Sequence, residues 1–200
     1  GPGNTNKLSN GGEELAISNS LGADIRRFTY DNNLPWATAP DGGGASLVLI
    51  APQSNPDHGL AMSWRASPHS GGNPGSSESL TFTGNPDEDL DGDGLSAFLE
   101  HALGTSDSDP KDAYGNIFLL PSPGGSRVEF TFVKALAADD VVYTLQTSSD
   151  LETWQNVSPT STTLVESLPG PSGRITETWQ INLPPTAERY FVRLLVSVRE

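Results

Sequence analysis

Residues 89 to 100 read Asp89-Leu90-Asp91-Gly92-Asp93-Gly94-Leu95-Ser96-Ala97-Phe98-Leu99-Glu100, with carboxylates at positions 1, 3, 5 and 12 of the stretch. Ca²⁺ takes six to eight oxygen ligands at about 2.3–2.6 Å, so alternate carboxylates reach one ion only around a sharp backbone turn. Gly94, at position 6, permits that turn because glycine adopts positive φ without strain. The spacing therefore predicts a calcium site within these twelve residues.

The spacing matches the EF-hand loop at every ligand position, and this register assigns each ligand. Position 9 is Ala97, which can offer only a bound water. An acidic, solvated linker is the alternative, since Asp- and Gly-rich segments commonly join domains. A linker, however, has no need of crowded carboxylates that repel one another. The predicted ligands are one oxygen each from Asp89, Asp91 and Asp93, the backbone carbonyl of Leu95, and both oxygens of Glu100.

A short helix is predicted to leave the loop. Apolar residues recur at helical spacing over residues 95 to 103, and Gly104 stands where a helix C-terminal glycine belongs. His101 is expected on the exposed face of this helix. Residues 80–83 are a candidate short strand before the loop. Residues 83 to 88 contain Gly84 and Pro86 and show no helical periodicity, so no helix is expected there.

The loop, its exiting helix and the following Gly-Thr-Ser-Asp-Ser-Asp-Pro of residues 104 to 110 resemble a bacterial thrombospondin type 3 repeat over about residues 87 to 110. The pattern of that family runs D-x-D-G-D-G-L, a short helix with an acidic end, and G-T-D-P. Here Ser-Asp-Ser is inserted before the final Asp-Pro. The resemblance implies a further acidic contact to the ion, and the insertion leaves both Asp107 and Asp109 open for it.

Composition limits the partners of the chain. Its 25 acidic and 11 basic residues give a net charge of −14, which argues against binding to nucleic acid or to an anionic membrane surface. There is no cysteine, so no disulfide can staple the fold, and calcium could take that role. Weak calcium sites are filled outside cells, which favours a secreted or cell-surface location. No apolar run approaches the roughly 20 residues of a membrane-spanning helix.

The first part of the chain reads as short β-strands between Gly-, Asn- and Pro-rich turns. Strands are predicted at 14–18 and 23–30, forming a hairpin, and at 46–50 and 61–65. Residues 8–13, 28–31, 35–36, 41–47 and 63–67 follow one another as in the second half of a bacterial lamin tail domain, over about residues 7 to 76. That resemblance implies part of an immunoglobulin-like β-sandwich within a larger bacterial protein. Because half of that domain is missing, the segment is expected to pack on the C-terminal domain or on a second chain, or to be less ordered than the rest.

The last part of the chain also has a period of two. Turns about every 8–12 residues are typical of an immunoglobulin- or fibronectin-like sandwich. Residues 143–154 are similar to the Y-x-V-x-x-S-x-D-L-x-x-W hairpin of C-terminal sandwich modules in secreted bacterial proteins, and 190–194 resemble their final strand. Seven strands are predicted, at 117–120, 127–133, 141–148, 153–157, 163–167, 175–183 and 190–197.

Enzymatic chemistry is not expected. His58, His69 and His101 have no spacing typical of zinc sites, and no G-x-S-x-G or phosphate-binding glycine loop occurs. The four tryptophans could form a sugar-binding platform, although filling a core is the more common role.

The sequence thus predicts a mainly β chain in which immunoglobulin-like β-sandwich modules are joined by an EF-hand-like calcium loop with one short helix. The divisions are a partial lamin-tail-like segment at 1–76, a linker and calcium repeat at 77–112, and a seven-stranded sandwich at 113–200. The expected role is non-catalytic and structural or adhesive, with neighbouring domains and Ca²⁺ as partners. The alternative is a module that binds cell-surface polysaccharide or another ligand.

Overall fold

The computed structural model describes residues 8–112, 117–121, 126–183 and 189–200. This part of the chain is mainly β, as predicted, with antiparallel sheets and one α-helix. Contacts divide the chain into two compact units, Gly1–Gly72 and Asn73–Glu200. The predicted calcium loop and helix lie within the second unit.

The first unit contains two short antiparallel pairs. Strand β1 (Glu13–Ser18) pairs with β2 (Asp24–Tyr30), and β3 (Leu47–Leu49) pairs with β4 (Trp64–Ala66). The side chain of Asn19 closes the predicted hairpin, since its Oδ1 accepts hydrogen bonds from two backbone N–H groups at 3.0 Å. Strand β4 begins three residues later than predicted, because residues 61–63 form a 3-10 turn.

Aromatic rings fill the interior of this unit. Trp36 is buried, and Trp64 stacks on Phe28 with ring centroids 5.4 Å apart. The Trp64 indole N–H donates to the backbone carbonyl of His58 at 2.9 Å. Both tryptophans therefore pack among neighbouring rings, which is the role that the sequence favoured for them.

The second unit carries two larger sheets. One has four strands in the order β5-β6-β10-β9, and the other has three in the order β11-β7-β8. Each strand lies on a predicted segment, with ends that differ by two residues or fewer. The strands are β5 (Ile117–Pro121), β6 (Arg127–Ala135), β7 (Val141–Ser148), β8 (Gln155–Asn156), β9 (Thr162–Pro169), β10 (Arg174–Asn182) and β11 (Phe191–Val198).

These two sheets share one apolar cluster. Alternate residues of β6, namely Val128, Phe130 and Phe132, are buried, and side chains from β7 and β11 pack against them. Alternation of this kind places one face of each strand towards the core. The packing is consistent with a β-sandwich.

Strand β5 differs from the other strands in its exposure. Its four consecutive apolar residues, Ile117 to Leu120, are 45–60% exposed although β5 pairs with β6 along its whole length. β5 lies at the edge of its sheet. It therefore presents an apolar edge strand at the surface of the second unit.

Helix α1 (Ala97–Leu103) packs on the second unit through a separate cluster. Phe98 and Ala102 contact Ala138 and Val141, and all four are buried. The helix starts two residues later than predicted because Ser96 has extended backbone and acts as its N-cap residue, with its carbonyl accepting the Glu100 N–H at 2.9 Å.

Two predictions around this helix were wrong. Residues 80–83 form no strand, because their N–H groups bond elsewhere: Leu80 donates to the Ala137 carbonyl and Phe82 to the Asp140 carboxylate, both at 2.7 Å. His101 is not on an exposed face. Its Nε2 lies 2.8 Å from Asp140 Oδ1, and the two side chains are only 15% and 17% exposed. One carboxylate thus anchors both the helix and the segment before the loop.

Candidate metal centre

Local hydrogen bonds give the acidic loop its shape. Asp89 accepts the N–H groups of Gly92 and Gly94 at 2.8 and 3.1 Å, through different carboxylate oxygens. Asp93 accepts the Leu95 N–H at 2.7 Å. Both glycines have positive φ, 76° and 95°, a conformation that L side chains rarely adopt. The backbone therefore winds around its own carboxylates.

This winding brings Asp89, Asp91 and Asp93 together. One oxygen from each lies within 4.8 Å of the other two. Two ligands on opposite sides of a calcium ion stand about 4.8 Å apart, twice the Ca–O distance, so the three oxygens fit around one ion. Among the described residues, these form the one such group of acidic or histidine side chains.

Glu100 brings a fourth carboxylate to the same place from the first turn of α1. It is 1% exposed, and neither oxygen has a hydrogen-bond partner. One oxygen each of Asp91 and Asp93 is likewise buried and unpartnered. Buried polar atoms are nearly always paired, and an unpaired buried charge is strongly unfavourable. Four such oxygens in one loop and helix are what a bound cation would satisfy.

The electrostatics agree with this geometry. Burial, a side-chain contact with Asp107 and the negative charges of Asp91 and Asp93 together raise the pKa of Glu100 to about 7. Burial also raises the pKa of Asp91, with Asp93, Asp89 and Asp107 acting in the same direction. The site therefore favours neutralisation, by a proton or by a positive ion.

The structure thus brings together three of the four predicted carboxylates, those of Asp89, Asp91 and Asp93. Glu100 lies outside the 4.8 Å group but close enough to Asp91 and Asp93 to be affected by their charges. Leu95, the predicted carbonyl ligand, directly follows Asp93 and is half-buried. The donor set holds only oxygen, which suits a hard cation such as Ca²⁺ rather than zinc.

The two later candidates differ from each other. Asp107 Oδ1 accepts the backbone N–H of Leu90 at 3.0 Å, so this residue stands against the loop. Asp109 is exposed, and its Oδ1 accepts the Lys111 N–H at 3.2 Å. The structure places Asp107, and not Asp109, beside the acidic group.

Sequence reasoning missed the groups that hold the helix. The Tyr143 hydroxyl donates to the Ala102 carbonyl at 2.6 Å, and burial raises the pKa of this tyrosine. Arg174 donates from Nε to the Gly104 carbonyl at 2.8 Å and forms an ion pair with Asp112 at 2.6 Å. These contacts join residues that are 41 to 70 positions apart in the chain, so no local sequence pattern predicts them.

The tryptophans give little support to a sugar-binding platform. Trp36 is buried, Trp64 stacks on Phe28, and Trp179 packs in the core of the second unit. The half-buried Trp154 is covered on its ring by the guanidinium of Arg193, 4.2 Å from the centroid. Each ring thus already has a protein neighbour on it.

Searches of protein-family models, curated proteins and solved structures find no match to this chain. In the described part of the chain, no helix has the length and apolar character that a membrane crossing requires.

Proposed function

We propose that this chain is a non-catalytic, calcium-stabilised region of a larger secreted or cell-surface bacterial protein, with a structural or adhesive role. The observation that carries the proposal is the set of four buried, unpartnered carboxylate oxygens on Asp91, Asp93 and Glu100. Without a bound cation, these oxygens would be buried close together with no partner, which is energetically unfavourable.

The EF-hand register explains what each residue would do. Asp89, Asp91 and Asp93 each supply one oxygen, Leu95 its carbonyl, and Glu100 two oxygens, which makes about six. Calcium supplies positive charge that removes the repulsion among the carboxylates. Since Glu100 belongs to α1, holding it fixes the start of the helix beside the loop.

The helix connects the site to the second unit. The face that carries Phe98 and Ala102 packs on Ala138 and Val141, on the same helix as Glu100. The Tyr143 hydroxyl holds the other end of the helix through the Ala102 carbonyl. The ion therefore makes an acidic segment rigid against the β-sheets that follow it.

The strand order supports an immunoglobulin-like module. The orders β5-β6-β10-β9 and β11-β7-β8 correspond to the A-B-E-D and F-C-C′ strands of an immunoglobulin sandwich. Such modules commonly form stalks and adhesive surfaces of extracellular proteins. Millimolar extracellular calcium would fill even a weak site, and the absence of cysteine leaves calcium as the available staple.

Calorimetric titration of Ca²⁺ into chelator-treated protein tests the proposal, with thermal melts of both forms. We expect about one equivalent bound and a raised melting temperature. Asp93→Asn should weaken binding about tenfold or more, because it removes a charged ligand. Asp87→Asn is the matched control, since Asp87 is exposed just before the loop. If the unmodified protein shows no heat of Ca²⁺ binding and no shift in melting temperature, the proposal is overturned.

A further inference from the structure

We propose that Asp107 is a fifth carboxylate ligand of the cation site, so that one ion holds together the loop, helix α1 and the segment after the helix. This inference rests on the proposed calcium site. It chooses between the two acidic residues that the sequence left open.

The loop and helix alone leave room in the coordination shell. Their register supplies about six oxygens, and Ca²⁺ accepts up to eight. Position 9, which often contributes through a side chain or water, is Ala97 and has no side-chain oxygen. A ligand from elsewhere in the chain can therefore complete the shell.

The position of Asp107 meets this requirement. It is half-buried, and its Oδ1 accepts the N–H of Leu90, the second residue of the loop, at 3.0 Å. That bond leaves Oδ2 for the ion. Asp107 also acts on Glu100 through a side-chain contact and on Asp91 through its negative charge, which places its carboxylate near both residues. Without a cation, this would be a fifth carboxylate added to an already repulsive set.

The turn after α1 is built to return Asp107 to the loop. Gly104 has φ 73° and its N–H bonds to the Glu100 carbonyl, which the Thr105 N–H also reaches at 3.0 Å. A Cβ on Gly104 would lie 3.2 Å from the Arg174 side chain and 3.3 Å from Ala135. Arg174 in turn holds the Gly104 carbonyl. This fixed reversal brings Asp107 against Leu90, 17 residues earlier in the chain.

Asp109 has a different set of contacts. Its N–H donates to the Ser106 carbonyl at 3.0 Å, and its Oδ1 accepts the Lys111 N–H. It is exposed and belongs to a turn of its own. It therefore serves as the matched control, with the same charge two residues away.

The test compares Asp107→Asn with Asp109→Asn by calorimetric Ca²⁺ titration of the full chain. Asparagine keeps an oxygen for the Leu90 N–H and removes one negative charge, so the metal-free variants should melt no lower than the unmodified protein. We expect Asp107→Asn to raise the Kd for Ca²⁺ about tenfold or more, and Asp109→Asn to change it by less than about twofold. Adding Ala97→Asp to Asp107→Asn should restore affinity, because it places a carboxylate at position 9.

The outcomes separate the two proposals. If the unmodified protein binds no calcium, the site itself is absent. If it binds calcium and Asp107→Asn binds as tightly as Asp109→Asn, the site stands and Asp107 is not a ligand. If the metal-free Asp107→Asn variant melts much lower than the unmodified protein, the double variant is decisive. The ligand role of Asp107 is overturned if adding Ala97→Asp does not restore the affinity for Ca²⁺.

Discussion

Replacing Glu100 by glutamine should have opposite effects with and without metal. Glutamine has nearly the shape of a protonated glutamate, so it fills the same buried space without the charge. In the metal-free protein it removes an unpartnered, 1% exposed carboxylate, which should be stabilising at alkaline pH. In the presence of calcium it removes a ligand, which should be destabilising.

The size of the first effect follows from the pKa of Glu100. In the folded, metal-free protein it is raised from 4.5 to about 7. Below pH 4.5 both states are protonated and the shift has no cost. Between pH 4.5 and 7 only the unfolded state gives up its proton, so stability is lost across this interval and the loss is complete above pH 7. Each pKa unit corresponds to about 1.4 kcal/mol, so the loss is about 3 kcal/mol at pH 8. For a unit of this size, that is about 10 °C in melting temperature.

The assay is thermal unfolding followed by circular dichroism at pH 8, with chelator or with excess Ca²⁺. We expect Glu100→Gln to melt about 10 °C above the unmodified protein in chelator, and to gain little from calcium. The unmodified protein should gain about 2.7 kcal/mol when calcium is at 100 times its Kd. In chelator at pH 5, the two proteins should melt within a few degrees of each other.

Glu88→Gln is the control for this experiment, since Glu88 is exposed and lies one residue before the loop. It should behave like the unmodified protein in every condition. The reasoning is refuted if Glu100→Gln melts lower than the unmodified protein in chelator at pH 8 while keeping the full calcium response.

Three further changes test the surroundings of the site. Phe98→Ala should lower the free energy of unfolding by about 3–5 kcal/mol, because it leaves a cavity in a core cluster. Chemical denaturation measures this change. Tyr143→Phe should lower the free energy of unfolding by about 1–2 kcal/mol, because it leaves the Ala102 carbonyl without its hydrogen-bond donor. If Tyr143→Phe has a similar effect in a variant that already carries Phe98→Ala, the two contacts are independent. Phe118→Lys should reduce concentration-dependent association in light scattering without lowering the melting temperature, because Phe118 is 52% exposed on an edge strand; an unchanged scattering profile would mean that β5 is not the associating edge.

Much of the fold could be predicted because its strands follow a simple alternation. Residues 127–132 alternate polar and apolar, and β6 buries Val128, Phe130 and Phe132 as that pattern requires. The acidic loop was accessible in the same way, since its carboxylates are close in sequence and its turn needs glycine. Short-range patterns contain this information directly.

Other features depend on contacts between distant residues. His101 was predicted to be exposed, but Asp140 supplies a partner from 39 residues away. Residues 80–83 have strand-forming side chains, yet their N–H groups bond to the loop before β7. The choice between Asp107 and Asp109 needed the direction of the turn at Gly104. None of these can be read from a window of neighbouring residues.

The packing of α1 decides which fragments of the chain can be produced with an intact core. The sequence pattern suggests cutting before residue 113, where the β-sandwich was predicted to begin. A fragment starting there would lose Phe98 and Ala102 and would expose Val141 and Ala138, which are 1% and 6% exposed in the whole chain. A fragment that begins at residue 73 keeps the helix, the acidic loop and both sheets together, and is therefore the piece to express and label.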